Sequence, residues 1–127
     1  MTMRWHSRQQ AFTLVEIMIV VALIGLLLVL AIPSVIKARK QAQGRRIVND
    51  ARIIDHAVDA WAMETGKADG DEVDVEAVAQ YGKNGQISTT DVLGNSYGIG
   101  PVGPTQVVIS ATTRAALAGV GVDWGSY

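Results

Sequence analysis

The sequence predicts an α+β fold, with one long N-terminal α-helix packed on a small C-terminal head that carries a short antiparallel β-sheet. Three observations predict it. The run from Ile17 to Ile32 holds no polar side chain. Beyond it, Ile47, Ala51, Ile54, Val58 and Trp61 recur at three- and four-residue steps, one apolar stripe of an amphipathic helix. After Gly66 the texture breaks into short apolar runs divided by Asn84-Gly85, Gly94-Asn95 and Pro101 to Pro104, the punctuation of turns and brief strands.

The leader, residues 1–11, is short and carries Arg4 and Arg8. Residues 12–36 form the membrane half of the helix. From Phe12 to Ile36 a helix rising about 1.5 Å per residue reaches roughly 37 Å, enough to cross a hydrocarbon core of about 30 Å. The apolar segment is longer than the 7–15 residues of a secretory signal core, and no small-residue cleavage site follows it. Basic residues flank it on both sides, so charge alone does not orient it. Its only charge is Glu16. A carboxylate at mid-membrane costs about 2.5–3.5 kcal/mol on insertion scales, so one retained there marks a function. Gly25 is a weak point, and Pro33 removes a helical hydrogen bond and predicts a kink.

Residues 37–66 continue as the amphipathic half, with Arg45, Asn49, Arg52, Asp55 and Asp59 on the faces away from the stripe. Gly66 suits a helix C-cap, giving a single helix from about Phe12 to Thr65. Residues 67–127 form the head. Asp74 suits the N-cap of a short helix over Val75–Tyr81. Turns at Asn84-Gly85 and Gly94-Asn95 precede a strand at Tyr97–Ile99, and a tight connection leads to a second strand at Gln106–Ser110. Thr112–Ala118 reads as a helical turn ended by Gly119 or as a loop.

Composition narrows the chemistry. The chain has 127 residues and no cysteine, which excludes a disulfide staple and a thiolate metal site. His6 falls in the leader, and His56 lies among the charged neighbours Arg52, Asp55 and Asp59 of the helix. No Gly-x-Ser-x-Gly elbow or phosphate-binding glycine loop is present, so an enzyme is not expected. Lys37, Arg39, Lys40, Arg45, Arg46 and Arg52 make a basic block that suits lipid headgroups or acidic protein patches. Nucleic acid is not expected, because no aromatic or loop constellation accompanies these cations. The acidic stretch Asp69–Glu76 fails the calcium-loop pattern: Asp74 stands where glycine is required and Gln80 ends the loop. No metal site and no cofactor are expected there, and helix N-terminal preference accounts for its carboxylates.

Ala11-Phe12-Thr13-Leu14-Val15-Glu16-Ile17-Met18 resembles the prepilin cleavage and methylation signature of type IV pilins and type II secretion pseudopilins, with alanine where those families most often have glycine. The resemblance is most specific over residues 8–36 and extends more loosely to Gly66. It implies a pilin-like fold, cleavage between Ala11 and Phe12 by a membrane prepilin peptidase, and N-methylation of Phe12. It also implies a role for Glu16 in register, paired with the new Phe12 amine of its own or a neighbouring subunit in a filament, and for Pro33 in a segment that extends during assembly.

The implied product is a structural subunit. It enters the bacterial inner membrane in one pass, N-terminus cytoplasmic and head periplasmic, and polymerises through an assembly platform into a pilus-like filament or a secretion pseudopilus. Before assembly its partner is membrane lipid. Asp91-Val92-Leu93-Gly94-Asn95-Ser96-Tyr97 is similar to a turn of major pseudopilins that bind calcium there with a later acidic segment, which here offers Asp123. Calcium in the head is thus an implication of the resemblance alone. The rival reading is a membrane-anchored periplasmic binding module that does not polymerise.

Overall fold

The computed structural model describes residues 11–127, so leader residues 1–10, His6 among them, lie outside the described residues. Helix α1 runs Leu14–Thr65 and continues through Pro33. The chain divides into two compact units, one ending at Ile36 and the other spanning Lys37–Tyr127.

In the first unit every large apolar side chain from Leu14 to Ile36 is exposed, and this stretch is long and apolar enough to cross a membrane. Pro33 has no N–H to offer the preceding turn. The next residue, Ser34, donates its Oγ hydroxyl to Ala31 O at 2.8 Å.

The second unit holds the core. Ile47, Ala51, Ile54, Val58 and Trp61 are buried along one stripe of α1, and they pack with Val78, Tyr97, Val107, Ile109 and Leu117 of the head. At Gly44 a side chain would collide with Val122, so the tail approaches α1 where only glycine fits. Helix α1 ends at Gly66, whose φ of 69° is left-handed. Lys67 N reaches back to Ala62 O at 2.9 Å, closing the last turn in a Schellman pattern.

Helix α2 spans Val75–Ala79, with Asp74 capping Glu76 N and Ala77 N at 3.1 and 3.2 Å. It stops two residues short of the expected Tyr81. Tyr81 N and Gly82 N bond three residues back, to Val78 O and Ala79 O, and tighten the chain into a turn. Asn84 adopts φ 60° within the next turn, Lys83–Gly85, as the Asn-Gly pair requires.

Strands β1, Gly98–Ile99, and β2, Val107–Val108, pair antiparallel with Gly98 opposite Val108 and Ile99 opposite Val107. Both are shorter than expected. Tyr97 N bonds Thr89 O at 3.0 Å, Gln106 N closes the turn at Gly103 O, and Ser110 leaves the sheet to cap the next helix. That helix, α3 at Ala111–Ala116, decides between the two readings of the tail.

Candidate functional site

Ala11 and Phe12 precede the first turn of α1, exposed and outside regular secondary structure, with Phe12 80% exposed. Thr13 then caps the helix: its Oγ1 accepts from Glu16 N at 3.2 Å. Glu16 answers in reverse, its Oε2 accepting from Thr13 N at 2.9 Å. This is a reciprocal capping box, in which a threonine and a glutamate three residues apart satisfy each other's backbone donors. The Glu16 carboxylate is thereby fixed at the positive end of the helix dipole, on the backbone N–H of the residue that follows Phe12. Thr13-x-x-Glu16 has the spacing of a capping box, a local role for both residues beyond the pairing of Glu16 with an amine.

Polar contacts of Val120, Gln106, Tyr127 and Tyr97 tie the head to α1, Val120 O accepting from Gln41 Nε2 at 2.7 Å. Gln106 Nε2 donates to Asp55 Oδ1 at 2.9 Å and Asp59 Oδ1 at 2.7 Å, while its Oε1 accepts from Gly103 N at 3.0 Å. Tyr127 OH donates to Asp55 Oδ2 at 3.2 Å. Tyr97 OH donates to Ile47 O at 3.3 Å inside the core. Burial first, then the nearby Asp50 and Asp91 carboxylates, push the Tyr97 hydroxyl well above the usual phenol range.

The residues around Asp91 bear on calcium. Asp91 Oδ1 accepts from Leu93 N at 2.8 Å and Asn95 N at 2.9 Å. Its Oδ2 accepts from Thr113 Oγ1, and Asn95 Nδ2 donates to that same hydroxyl at 3.0 Å. The carboxylate is buried among proton donors, and the Asn95 amide turns its nitrogen inward, where a cation would need oxygen. Asp123 instead bonds Gly125 N at 3.0 Å and lines a groove with Gln41, Arg45 and Arg52. Among the described residues no three acidic or histidine side chains gather as a metal site. This donor set does not fit calcium. His56 is exposed on α1, and Pro33 lies inside the membrane-length stretch, apart from the capping box.

Residues 6–32 match the family described as the prokaryotic N-terminal methylation motif. The chain is 32% identical over 107 residues to type II secretion system core protein G of Escherichia coli K12, covering 75% of this chain and 74% of that protein. It is 28% identical over 72 residues to core protein G of Klebsiella pneumoniae, spanning 51% of its length. It is 29% identical over 121 residues to fimbrial protein Q of Moraxella bovis, covering 89% of this chain and 76% of the relative. No solved structure gives a significant match.

Proposed function

The chain belongs to the type IV pilin and type II secretion pseudopilin family, and on that premise we propose that it is cut between Ala11 and Phe12, N-methylated on Phe12, and polymerised as a pseudopilus subunit. One observation carries the reading: the only carboxylate on an exposed, membrane-length apolar helix is held by Thr13 N, one residue from the proposed new N-terminus. Cleavage leaves the Phe12 amine beside Glu16. Pairing the two in low dielectric offsets the desolvation that either would bear alone. In a filament the same amine and carboxylate exchange between neighbours, and a misregistered subunit leaves both unpaired. Exposed apolar side chains from Leu14 to Ile36 then trade lipid for the helices of other copies.

A prepilin peptidase and an inner-membrane assembly platform are the partners this route requires. The head lies on the periplasmic side, the leader on the cytoplasmic side. Pro33 sits where the helix gives way to extension during assembly. The anchored binding module that never polymerises is not favoured, since the relatives named above are a secretion core protein and a fimbrial protein.

Mass spectrometry of the mature N-terminus tests the route. Methylated Phe12 is the expected first residue. A retained Met1, or a cut beyond Ile36, overturns it.

A further inference from the structure

Charge in the second unit is sorted by sign. Between Lys37 and Arg52, α1 carries six cations and one acid, Asp50. From Asp55 to Glu76 eight acids accompany one cation, Lys67. These blocks do not neutralise each other within the chain. Among the described residues the one ion pair is Arg46 to Asp50, at 3.9 Å. Asp69, Glu72 and Glu76 are exposed, as are Arg45 and Arg52. Like charges held together on a small domain repel, and the field they leave is relieved only by an opposite one.

A lipid surface or a nucleic acid takes the cations and repels the acids. A second copy of this chain takes both. Arg52 and Thr65, where α1 ends just before the acidic loop, lie on the same helix, about 20 Å apart at ~1.5 Å per residue. A parallel copy shifted along the helix by about that distance sets the acidic block of one against the basic block of the other. Such a contact joins two different surfaces, so it repeats without closing and builds a filament. The basic side also has a receiving shape. A groove of about 360 Å³ runs between α1 and residues 121–123, its wall holding two cations, Arg45 and Arg52, against one acid, Asp123.

We infer that Arg45 and Arg52 of one copy receive the carboxylates of the Asp69–Glu76 loop, Asp69 and Glu72 foremost, from a second, axially shifted copy. The inference rests on the filament reading above and names one of its head contacts.

Charge reversal in the full-length chain, expressed with its assembly system, tests it. Arg45→Glu with Arg52→Glu is expected to lower filament yield at least tenfold, and Asp69→Arg with Glu72→Arg to do the same. All four together restore the yield, which a folding defect would not allow. Because the chain has no cysteine, Arg52→Cys with Glu72→Cys adds an independent readout: an oxidised ladder of cross-linked copies.

Wild-type yield from either double variant overturns the inference, as does a quadruple variant that stays unassembled. Loss confined to the basic reversal, together with lost binding of the unassembled protein to vesicles containing phosphatidylglycerol, assigns the cations to lipid and also overturns it. A wild-type chain that keeps Met1 and forms no filament overturns the filament reading itself.

Discussion

Removing one buried hydroxyl tests how the Asp91 cluster holds the head together. Thr113 is fully buried; its Oγ1 donates to Asp91 Oδ2, accepts from Asn95 Nδ2 at 3.0 Å and lies 2.8 Å from Ser110 Oγ. Thr113→Val keeps the shape and deletes all three contacts. A lost hydrogen bond to a charged group costs about 1.5–3 kcal/mol, and each neutral one about 1 kcal/mol. We therefore expect a loss of about 4 kcal/mol. For a unit the size of Lys37–Tyr127, each kcal/mol moves Tm by about 4–8 °C, so the variant should melt roughly 16–32 °C lower. Thr113→Ser keeps the hydroxyl and loses a methyl, at about 0.8 kcal/mol.

The assay is near-ultraviolet circular dichroism of the full chain in detergent micelles, followed through thermal unfolding. Calcium at a hundred times its Kd would stabilise a binding head by about 2.7 kcal/mol. Wild-type protein should instead melt at one temperature in millimolar calcium and in chelator. A Val variant within about 1 kcal/mol of wild type, or a calcium-dependent rise in Tm, refutes the reasoning.

Two further outcomes follow from the contacts described. Glu16→Gln keeps a capping acceptor for Thr13 N but removes the charge, so insertion and cleavage should persist while filament yield falls at least tenfold; an unchanged yield in electron micrographs removes the register argument. Tyr97→Phe should reduce the alkaline sensitivity of the head. Because the folded hydroxyl titrates higher than the unfolded one, its contribution is complete below about pH 10 and is lost as pH rises through the folded value. The wild type should therefore lose up to ~1.4 kcal/mol per pH unit more than Tyr97→Phe above that point, read from urea midpoints between neutral and strongly alkaline pH. Equal slopes would contradict it.

The helix was legible because its signals are local and repeated. Every residue of the stripe from Ile47 to Trp61 that periodicity selected is buried, and Gly66 ends the helix in the left-handed conformation that glycine admits most readily. The sheet was legible only as a location. Strands of two residues are too short to display an alternation, and their ends are decided by Thr89, Gly103 and the capping demand of Ser110. The Asp91 cluster was beyond reach for a different reason. Asp91 and Thr113 are 22 positions apart, and nothing in either residue's neighbours announces that a hydroxyl fills the place suggested for calcium. Thr13 is the opposite case, since the capping box stands in plain three-residue spacing to Glu16.

That capping box changes how assembly is understood energetically. A carboxylate entering lipid alone would bear several kcal/mol of desolvation, and a subunit waiting in the membrane would be poorly stable until a neighbour arrived. Glu16 is not alone, because Thr13 N already donates to Oε2 at 2.9 Å and the helix dipole favours a negative charge at this end. Under the proposed cleavage the Phe12 amine joins the same cluster, so the waiting subunit carries a compensated charge. Moving into the filament then exchanges one partner for an equivalent one on a neighbour. An exchange between near-equal partners adds little net affinity but penalises every register in which the neighbour's amine is out of reach. The sorted charges of Lys37–Arg52 and Asp55–Glu76 impose an axial preference by the same logic. Two weakly stabilising devices, one in each unit, select a register that neither would select alone, and the exposed apolar surface between Leu14 and Ile36 supplies the affinity.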